Sequence, residues 1–149
     1  MSDTPVTLPP ALAEMRDEFL ALGERDRLLL LLDYAGELPA LPARLEAPGL
    51  LERVEECQAP VFVTAEVDHD VAQVHAKVPM EAPTTRGFAS MLVQGLSGLS
   101  VDDVLRVPDD FPQMLGLGRA VSPLRLRGMS ALIGRIKRQL RSAIAVAPA

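Results

Sequence analysis

The chain has 149 residues and a net charge of −5, and its length is that of one ordinary domain. Hydrophobic residues make up 48% and aromatic residues only 3%, so the core must consist mainly of aliphatic side chains. A single cysteine excludes an internal disulfide, the first residues lack the pattern of a secretory signal, and no apolar run approaches the roughly 20 residues of a membrane span. We therefore expect one cytoplasmic domain, residues 1–149, frayed at 1–7 and 142–149 and without membrane association.

Charge is distributed unevenly along the chain. Residues 1–110 carry 8 basic and 20 acidic groups, net −12, whereas residues 111–149 carry 7 basic and no acidic groups, net +7. A positive segment can attract nucleic acid, but these basic residues are not interleaved with aromatic ones and belong to no docking motif. We expect a solvated helix face and no nucleic-acid partner.

Two helices are predicted at the start of the chain. Leu12, Met15, Phe19 and Leu22 follow helical spacing after a pair of prolines. The next segment, "RDRLLLLLDYAG", contains five consecutive leucines, which leave no polar stripe, so we expect this helix to lie inside the protein. The proline-rich "ELPALPARLEAPG" then predicts an irregular connection over the surface.

The stretch "PVFVTAEVDHDVAQVHAKVP" alternates with period 2 and predicts an antiparallel hairpin that turns at His69 and Asp70. In this register one face is wholly apolar, and a slip of one residue would mix the two faces. Because His-Asp is not a favoured two-residue turn, we allow for a longer turn in the same register. The apolar face would pair Val61, Val63, Ala65 and Val67 with Val78, Ala76, Val74 and Ala72.

Helices are predicted again after the hairpin. Thr84 or Thr85 would cap the first, which leads to Gly98. Ser100 followed by Asp103 resembles a capping box and opens the short helix "VDDVLRV".

Asp109 or Asp110 would cap a further segment, and Ser122 before Pro123 begins the final helix. The order of helices, a small antiparallel sheet and further helices predicts an α+β domain, with the sheet packed against several helices. The final helix has one apolar stripe, formed by Met129, Leu132, Ile133, Ile136 and Leu140.

The only cysteine, Cys57, lies in "VEECQAPVFV", just before the first predicted strand. If the chain stays extended through Pro60, strand parity turns the thiol toward the apolar face, at the lip of the core. One interpretation is that Cys57 is a small buried hydrophobe, as free cysteines often are. The adjacent Glu55 and Glu56 disfavour the thiolate and so argue against a fast autonomous nucleophile.

The sequence gives little support to hydrolytic or metal-binding chemistry for this thiol. A hydrolytic cysteine needs a base, but the two histidines, His69 and His75, belong to the turn and the polar face of the hairpin. A zinc site needs ligand pairs at short fixed spacing, which the sequence lacks. The sequence therefore offers no autonomous catalytic set.

Four stretches of the sequence carry, in the same order, the motifs of one known family. One is "ECQAPVFV", and the other three are "LPPALAEMRDEFLAL" with "LPALP", "TRGFASMLVQGLSGLSVDDVL", and "AVSPLRLRGMSALIGRIK", which contains a Ser-Pro-x-Arg-x-x-Gly stretch. They resemble the SufE-type sulfur-acceptor proteins of iron–sulfur cluster assembly, whose signature Gly-Cys-Gln-Ser-x-Val-Trp is similar to "ECQAPVFV". The resemblance covers roughly residues 8–141 and implies a SufE/IscU-like α+β fold.

The resemblance also implies a function. A pyridoxal-phosphate cysteine desulfurase of the SufS type would hold sulfur as a persulfide on a mobile loop, and this protein would dock and take the sulfur onto Cys57. Gln58 lies beside the acceptor, Arg125 matches the family arginine that would serve the thiolate or the interface, and Glu56 replaces the usual glycine. The protein would stimulate the desulfurase and pass the sulfur on to cluster assembly.

The implied partners are the desulfurase and an iron–sulfur scaffold complex, and the protein would be a monomer or a weak homodimer. It would carry no cofactor beyond a transient Cys57 persulfide, because the pyridoxal phosphate belongs to the partner. Two alternatives stay open. One is a docking or regulatory module without sulfur transfer, and the other is a small metal or cluster scaffold.

Overall fold

A computed structural model describes residues 8–146. Within that range the chain forms five α-helices and one three-stranded antiparallel sheet in the order β1-β2-β3, which confirms the α+β class. The elements are α1 (Pro10–Leu20), α2 (Glu24–Ala35), β1 (Glu52–Arg53), β2 (Phe62–Asp68), β3 (Val71–Lys77), α3 (Pro83–Leu96), α4 (Val101–Leu105) and α5 (Pro123–Val146), with 3-10 helices at Ala43–Leu45 and Phe111–Leu115.

We expected both chain ends to be frayed, and the structure bears differently on the two ends. Residues 1–7 and 147–149 lie outside the described part of the chain. Helix α5, however, continues to Val146, past residue 142 where we expected order to end. That the whole chain is one domain stays a prediction.

Strands β2 and β3 pair in the register predicted from the alternation. Val63 lies opposite Ala76, Ala65 lies opposite Val74, and all four side chains are buried. Helix α5 packs on β2, and α3 packs on β3. The apolar face of the sheet therefore faces the helices, and the polar residues fall on the other face.

The β2–β3 connection is tighter than the longer turn that we allowed for. His69 and Asp70 have φ angles of 52° and 65°, and the residues on either side, Asp68 and Val71, pair directly. Both turn residues thus adopt the left-handed conformation that a two-residue type I′ hairpin turn requires.

The expectation that α2 lies inside the protein is wrong. Leu31 and Ala35 are buried, but Leu29 is 50% exposed. Helix α2 packs against α3 and α1, and its remaining side faces solvent. Its approach to α3 depends on Gly87, because a Cβ there would overlap the backbone carbonyl oxygen of Leu31.

Two predicted helix caps are confirmed. The Ser100 hydroxyl accepts a hydrogen bond of 3.1 Å from the backbone N–H of Asp103 at the start of α4. The Ser122 hydroxyl accepts one of 3.2 Å from the backbone N–H of Arg125 at the start of α5. The apolar stripe of α5 is also confirmed, since Met129, Leu132, Ile133, Ile136 and Leu140 are all buried.

Two other predicted caps are wrong. Helix α3 begins at Pro83 after Ala82, which has no side chain that can cap it. Thr84 and Thr85 lie inside its first turn and are buried, since proline at the first helical position shifts the start forward. Asp110 precedes the second 3-10 helix without a side-chain cap.

The sequence analysis did not predict β1, whose two residues pair with β2. Because β1 is so short, part of the outer edge of β2 is left without a strand partner. Gln139 of α5 fills this gap: its side-chain oxygen accepts a 2.7 Å hydrogen bond from the Ala65 N–H, and its nitrogen donates a 3.3 Å bond to the Val63 carbonyl. Helix α5 is thereby fixed against β2, next to the loop that carries the cysteine.

Candidate functional site

Cys57 lies in the loop that joins β1 to β2. The loop is closed at its base by the Val54 N–H, which donates to the Val61 carbonyl at 2.8 Å, and it turns where the Cys57 N–H donates to the Val54 carbonyl at 3.1 Å. The chain is therefore not extended through Pro60, and the parity argument that placed the thiol was wrong. The thiol nevertheless packs, partly buried, against the edge of the hydrophobic core.

Helix α5 approaches the thiol at Gly128. A Cβ at this position would lie 3.1 Å from Cys57 Sγ and 3.8 Å from the Glu56 carbonyl oxygen. Ordinary Cβ contacts are longer than 3.4 Å, so only glycine lets the helix and the loop meet without displacement. Gly128 is the glycine of the Ser-Pro-x-Arg-x-x-Gly stretch.

A surface cavity of about 520 Å³ opens beside the thiol. Cys57 and Gln58 line it from the loop, Thr84 and Thr85 from the first turn of α3, and Arg125 from the first turn of α5. The fold therefore brings three segments that are distant in sequence to one cavity. The cavity exceeds the volume of one sulfur atom many times over.

Arg125 and Gln58 are both exposed. The Arg125 guanidinium donates a long hydrogen bond of 3.5 Å to the Thr84 hydroxyl, and within residues 8–146 no hydrogen bond joins it to Cys57. Arg125 thus lies at the mouth of the cavity, where it can meet a group that enters.

The sequence analysis missed the arginine nearest to the loop, Arg135 of α5. Its guanidinium donates hydrogen bonds of 3.0 and 2.6 Å to the Glu56 carboxylate and also binds Glu52. Arg138 and Gln139 bind Glu52 as well. The sequence did contain a signal for this contact: three acidic residues precede the cysteine, and the final helix is basic and has no acidic residue. Charge alone, however, does not specify which residues pair.

Burial is the main cause that raises the pKa of the Cys57 thiol, and the charge of Glu56 adds to it. The positive charge of Arg135 acts in the opposite direction and is the smaller influence on this pKa. Hydrogen bonds from Arg135 lower the pKa of Glu56, so this carboxylate stays charged. The resting site therefore holds a neutral thiol next to an ion pair.

Four of the seven basic residues of the C-terminal segment form ion pairs within the protein. Besides Arg135 and Arg138, Lys137 binds Asp109 at 2.7 Å, and Arg119 lies 3.4 Å from Glu24. These ion pairs use acidic residues of the first part of the chain. The positive charge of this segment therefore gives little support to a nucleic-acid surface.

The histidines lie apart from the thiol. His69 is exposed at the β2–β3 turn beside Asp68, and His75 contacts Glu66 on the polar face of the sheet. In the described part of the chain no group of three or more histidine, cysteine, aspartate or glutamate side chains is arranged to hold a metal ion. The scaffold alternative therefore gains no support from these residues.

Comparisons with known proteins give a consistent result. A family model described as "SufE: Fe-S metabolism associated domain" matches residues 13–140. An uncharacterised SufE-like protein of Mycobacterium tuberculosis is 50% identical over 140 residues, which cover 93% of this chain and 97% of that protein. SufE-like protein 1 of Arabidopsis thaliana, described as chloroplastic/mitochondrial, is 32% identical over 82% of this chain but only 32% of its own length.

A solved structure is also similar. The solution structure of a hypothetical protein from Thermus thermophilus has a TM-score of 0.81 and 41% sequence identity, covering 93% of this chain and 99% of that one. It supports the small α+β fold. Across residues 8–146, none of the helices combines the length and the apolar character needed to cross a membrane.

Proposed function

Because this chain belongs to the SufE family and carries a domain associated with iron–sulfur metabolism, we propose that it accepts persulfide sulfur on Cys57 from a SufS-type cysteine desulfurase. The sulfur then passes to iron–sulfur cluster assembly, and its removal stimulates the desulfurase. The observation that carries this proposal is the position of the thiol: half-buried on a loop, and open to a cavity large enough to admit part of a donor.

The transfer needs no oxidant or reductant. The Cys57 thiolate attacks the terminal sulfur of the donor persulfide, a new S–S bond forms at Cys57, and the donor S–S bond breaks. The donor cysteine leaves as a thiolate and takes up the proton that Cys57 has lost. The neutral sulfur atom thus changes carrier, and the pyridoxal phosphate chemistry stays on the desulfurase.

The environment of Cys57 suits a carrier better than a catalyst. Burial keeps the resting thiol protonated, because the raised pKa makes the thiolate scarce near neutral pH. A thiol in this state resists oxidation and alkylation until a donor reaches it. The same pocket would shelter the product persulfide from solvent.

Arg125 would serve the incoming donor. It lies exposed at the mouth of the cavity, where its guanidinium can bind the departing donor thiolate or a carboxylate of the donor surface. The first turn of α3 lines the same cavity, and the positive end of that helix dipole favours anionic sulfur there. Gln58 supplies a neutral polar group beside the thiol.

The test is direct. The protein is incubated with a SufS-type desulfurase and L-cysteine without reductant, and its intact mass is measured. We expect a gain of one sulfur atom that is absent from Cys57→Ser. If the desulfurase turns over, and is stimulated, while no adduct forms on Cys57, the protein is a docking or regulatory module and the transfer proposal fails.

The partner and compartment proposals follow from the same function. The desulfurase and an iron–sulfur scaffold complex are the proposed partners, and the cytoplasm is the proposed compartment. Co-elution of the protein with the desulfurase on size exclusion would support the first partner. Its failure to bind at micromolar concentrations of both proteins would argue against it.

A further inference from the structure

Two structural features hold the Cys57 loop against α5. At Gly128 the helix comes into close contact with the thiol itself. About two turns further along the helix, Arg135 binds the Glu56 carboxylate through two guanidinium nitrogens. The residue next to the acceptor is therefore tied to the helix that covers the acceptor.

We propose that Arg135 is a positioning residue for sulfur transfer: it binds Glu56, holds the Cys57 loop closed on α5, and must release Glu56 before a donor gains full access to the thiol. This inference rests on the proposed function for its biological meaning. Its structural content, control of access to Cys57, can be measured without any desulfurase.

The geometry favours a closed loop that can open at a moderate cost in free energy. The Arg135 side chain is 20% exposed and is fixed by Glu52 as well, so the arginine is a rigid anchor. The Glu56 side chain is 50% exposed, so water and a docking partner can compete for its carboxylate. When the pair separates, Glu56 leaves with the loop while Arg135 stays on the helix with Glu52.

The chain offers a matched control for this pair. Arg138 lies on the same helix and binds Glu52 but not Glu56. Removing its charge disturbs the same cluster of carboxylates and arginines without touching the loop. A difference between Arg135 and Arg138 variants therefore reports on the Glu56 contact and not on the charge of α5.

The test measures the alkylation rate of Cys57 by iodoacetamide as a function of pH, read by intact mass. The plateau of the rate at high pH reports access to the ionised thiol, and the midpoint reports the pKa of the thiol. The measurement therefore distinguishes a change in access from a change in pKa. We expect Glu56→Gln and Arg135→Gln to raise the plateau about fivefold, the size expected for loss of a partly exposed ion pair. Arg138→Gln should stay within about twofold of the unaltered protein, and Arg135→Lys should recover most of the closed state.

The proposal is overturned if Glu56→Gln and Arg135→Gln both leave the plateau within about twofold of the unaltered protein. Should Arg135→Gln fail to fold, because it also releases Glu52, the Glu56→Gln variant decides alone, since it leaves the Arg135–Glu52 contact in place. A raised plateau in a protein that takes up no sulfur from the desulfurase would support the closure and reject the sulfur-acceptor function. The closure of the loop and the sulfur-acceptor function can therefore be rejected independently of each other.

Discussion

Gly87 and Gly128 both lie where a helix closely approaches a neighbouring segment, and they differ in what they meet. At Gly87 in α3 the neighbour is the backbone carbonyl of Leu31, whereas at Gly128 in α5 the neighbour is the Cys57 thiol. A backbone atom in the middle of a helix cannot move aside, but a side chain on a short loop can. The α2–α3 contact is therefore fixed, and the contact between the loop and α5 is adjustable.

This difference separates stability from function within one small fold. The fixed contact joins two helices, α2 and α3, and any added atom there must strain the backbone. The adjustable contact belongs to the segment that we propose to carry sulfur. Substitutions at the fixed contact should therefore change the free energy of unfolding, and substitutions at the adjustable contact should change the reactivity of Cys57.

The largest effect, a loss of stability, is expected at the fixed contact between α2 and α3. Gly87→Ala should lower the free energy of unfolding by about 3 kcal/mol, because the new methyl group has no space beside the Leu31 carbonyl. Urea unfolding followed by circular dichroism measures this. The control is Gly134→Ala in α5, where a Cβ meets nothing within 4 Å and should stabilise the helix by about 0.5–1 kcal/mol. An unchanged unfolding midpoint for Gly87→Ala would mean that α2 and α3 are not held at this distance.

A functional effect without a stability effect is expected at the mouth of the cavity. Arg125→Ala should reduce desulfurase stimulation about tenfold while the melting temperature changes by less than about 2 °C, because this side chain is exposed and has one long hydrogen bond. Arg106→Ala, another exposed arginine, paired with Asp103 away from the cavity, should change neither. Loss of folding in Arg125→Ala would assign this arginine to the fixed part of the molecule.

A smaller effect is expected at the adjustable glycine. Gly128→Ala places a methyl group 3.1 Å from Cys57 Sγ, so the thiol must move outward by a few tenths of an ångström. Iodoacetamide should then react with Cys57 about threefold faster at the high-pH plateau, since access to the thiolate controls its reactivity. The helix gains from alanine, so stability should change by less than about 1 kcal/mol. If Gly128→Ala is instead as unstable as Gly87→Ala, the distinction between the two glycines is wrong.

The smallest effect concerns pH. Burial disfavours the thiolate of Cys57, so the pKa in the folded protein lies above that of the unfolded chain. Stability should therefore decline slightly as the pH rises above the pKa of an unfolded cysteine, because only the unfolded chain releases this proton freely. Unfolding curves of the unaltered protein and Cys57→Ser between neutral and alkaline pH measure the difference. Parallel curves would show that the thiol is not desolvated.

The sequence predicted the sheet well, because alternation makes a wrong register costly. A slip of one residue would have brought Thr64 or Glu66 into the core. Strand β1 was missed for the opposite reason: two residues, Glu52 and Arg53, are too few to show any period. The burial of α2 was overestimated because five leucines show what a helix can bury, but not how many neighbours it will have.

The grouping of the candidate site residues was predicted in part, and their roles stay predictions. The family resemblance pointed to Cys57, Gln58 and Arg125, and the fold brings these three to one cavity. The contact between Glu56 and Arg135 could not be predicted, because 79 residues separate the two and each has several alternative partners of opposite charge. The placement of the thiol by strand parity failed because the loop turns immediately at Cys57.

The order of charges along the chain has a consequence for biosynthesis. The hairpin and the cysteine leave the ribosome well before α5, and until α5 is complete Glu52 and Glu56 lack their arginines. A nascent chain would therefore expose the whole Cys57 thiol, which the folded protein half-buries. Oxidation of this thiol would therefore be easier during translation than in the folded protein, and synthesis of α5 ends this vulnerable interval.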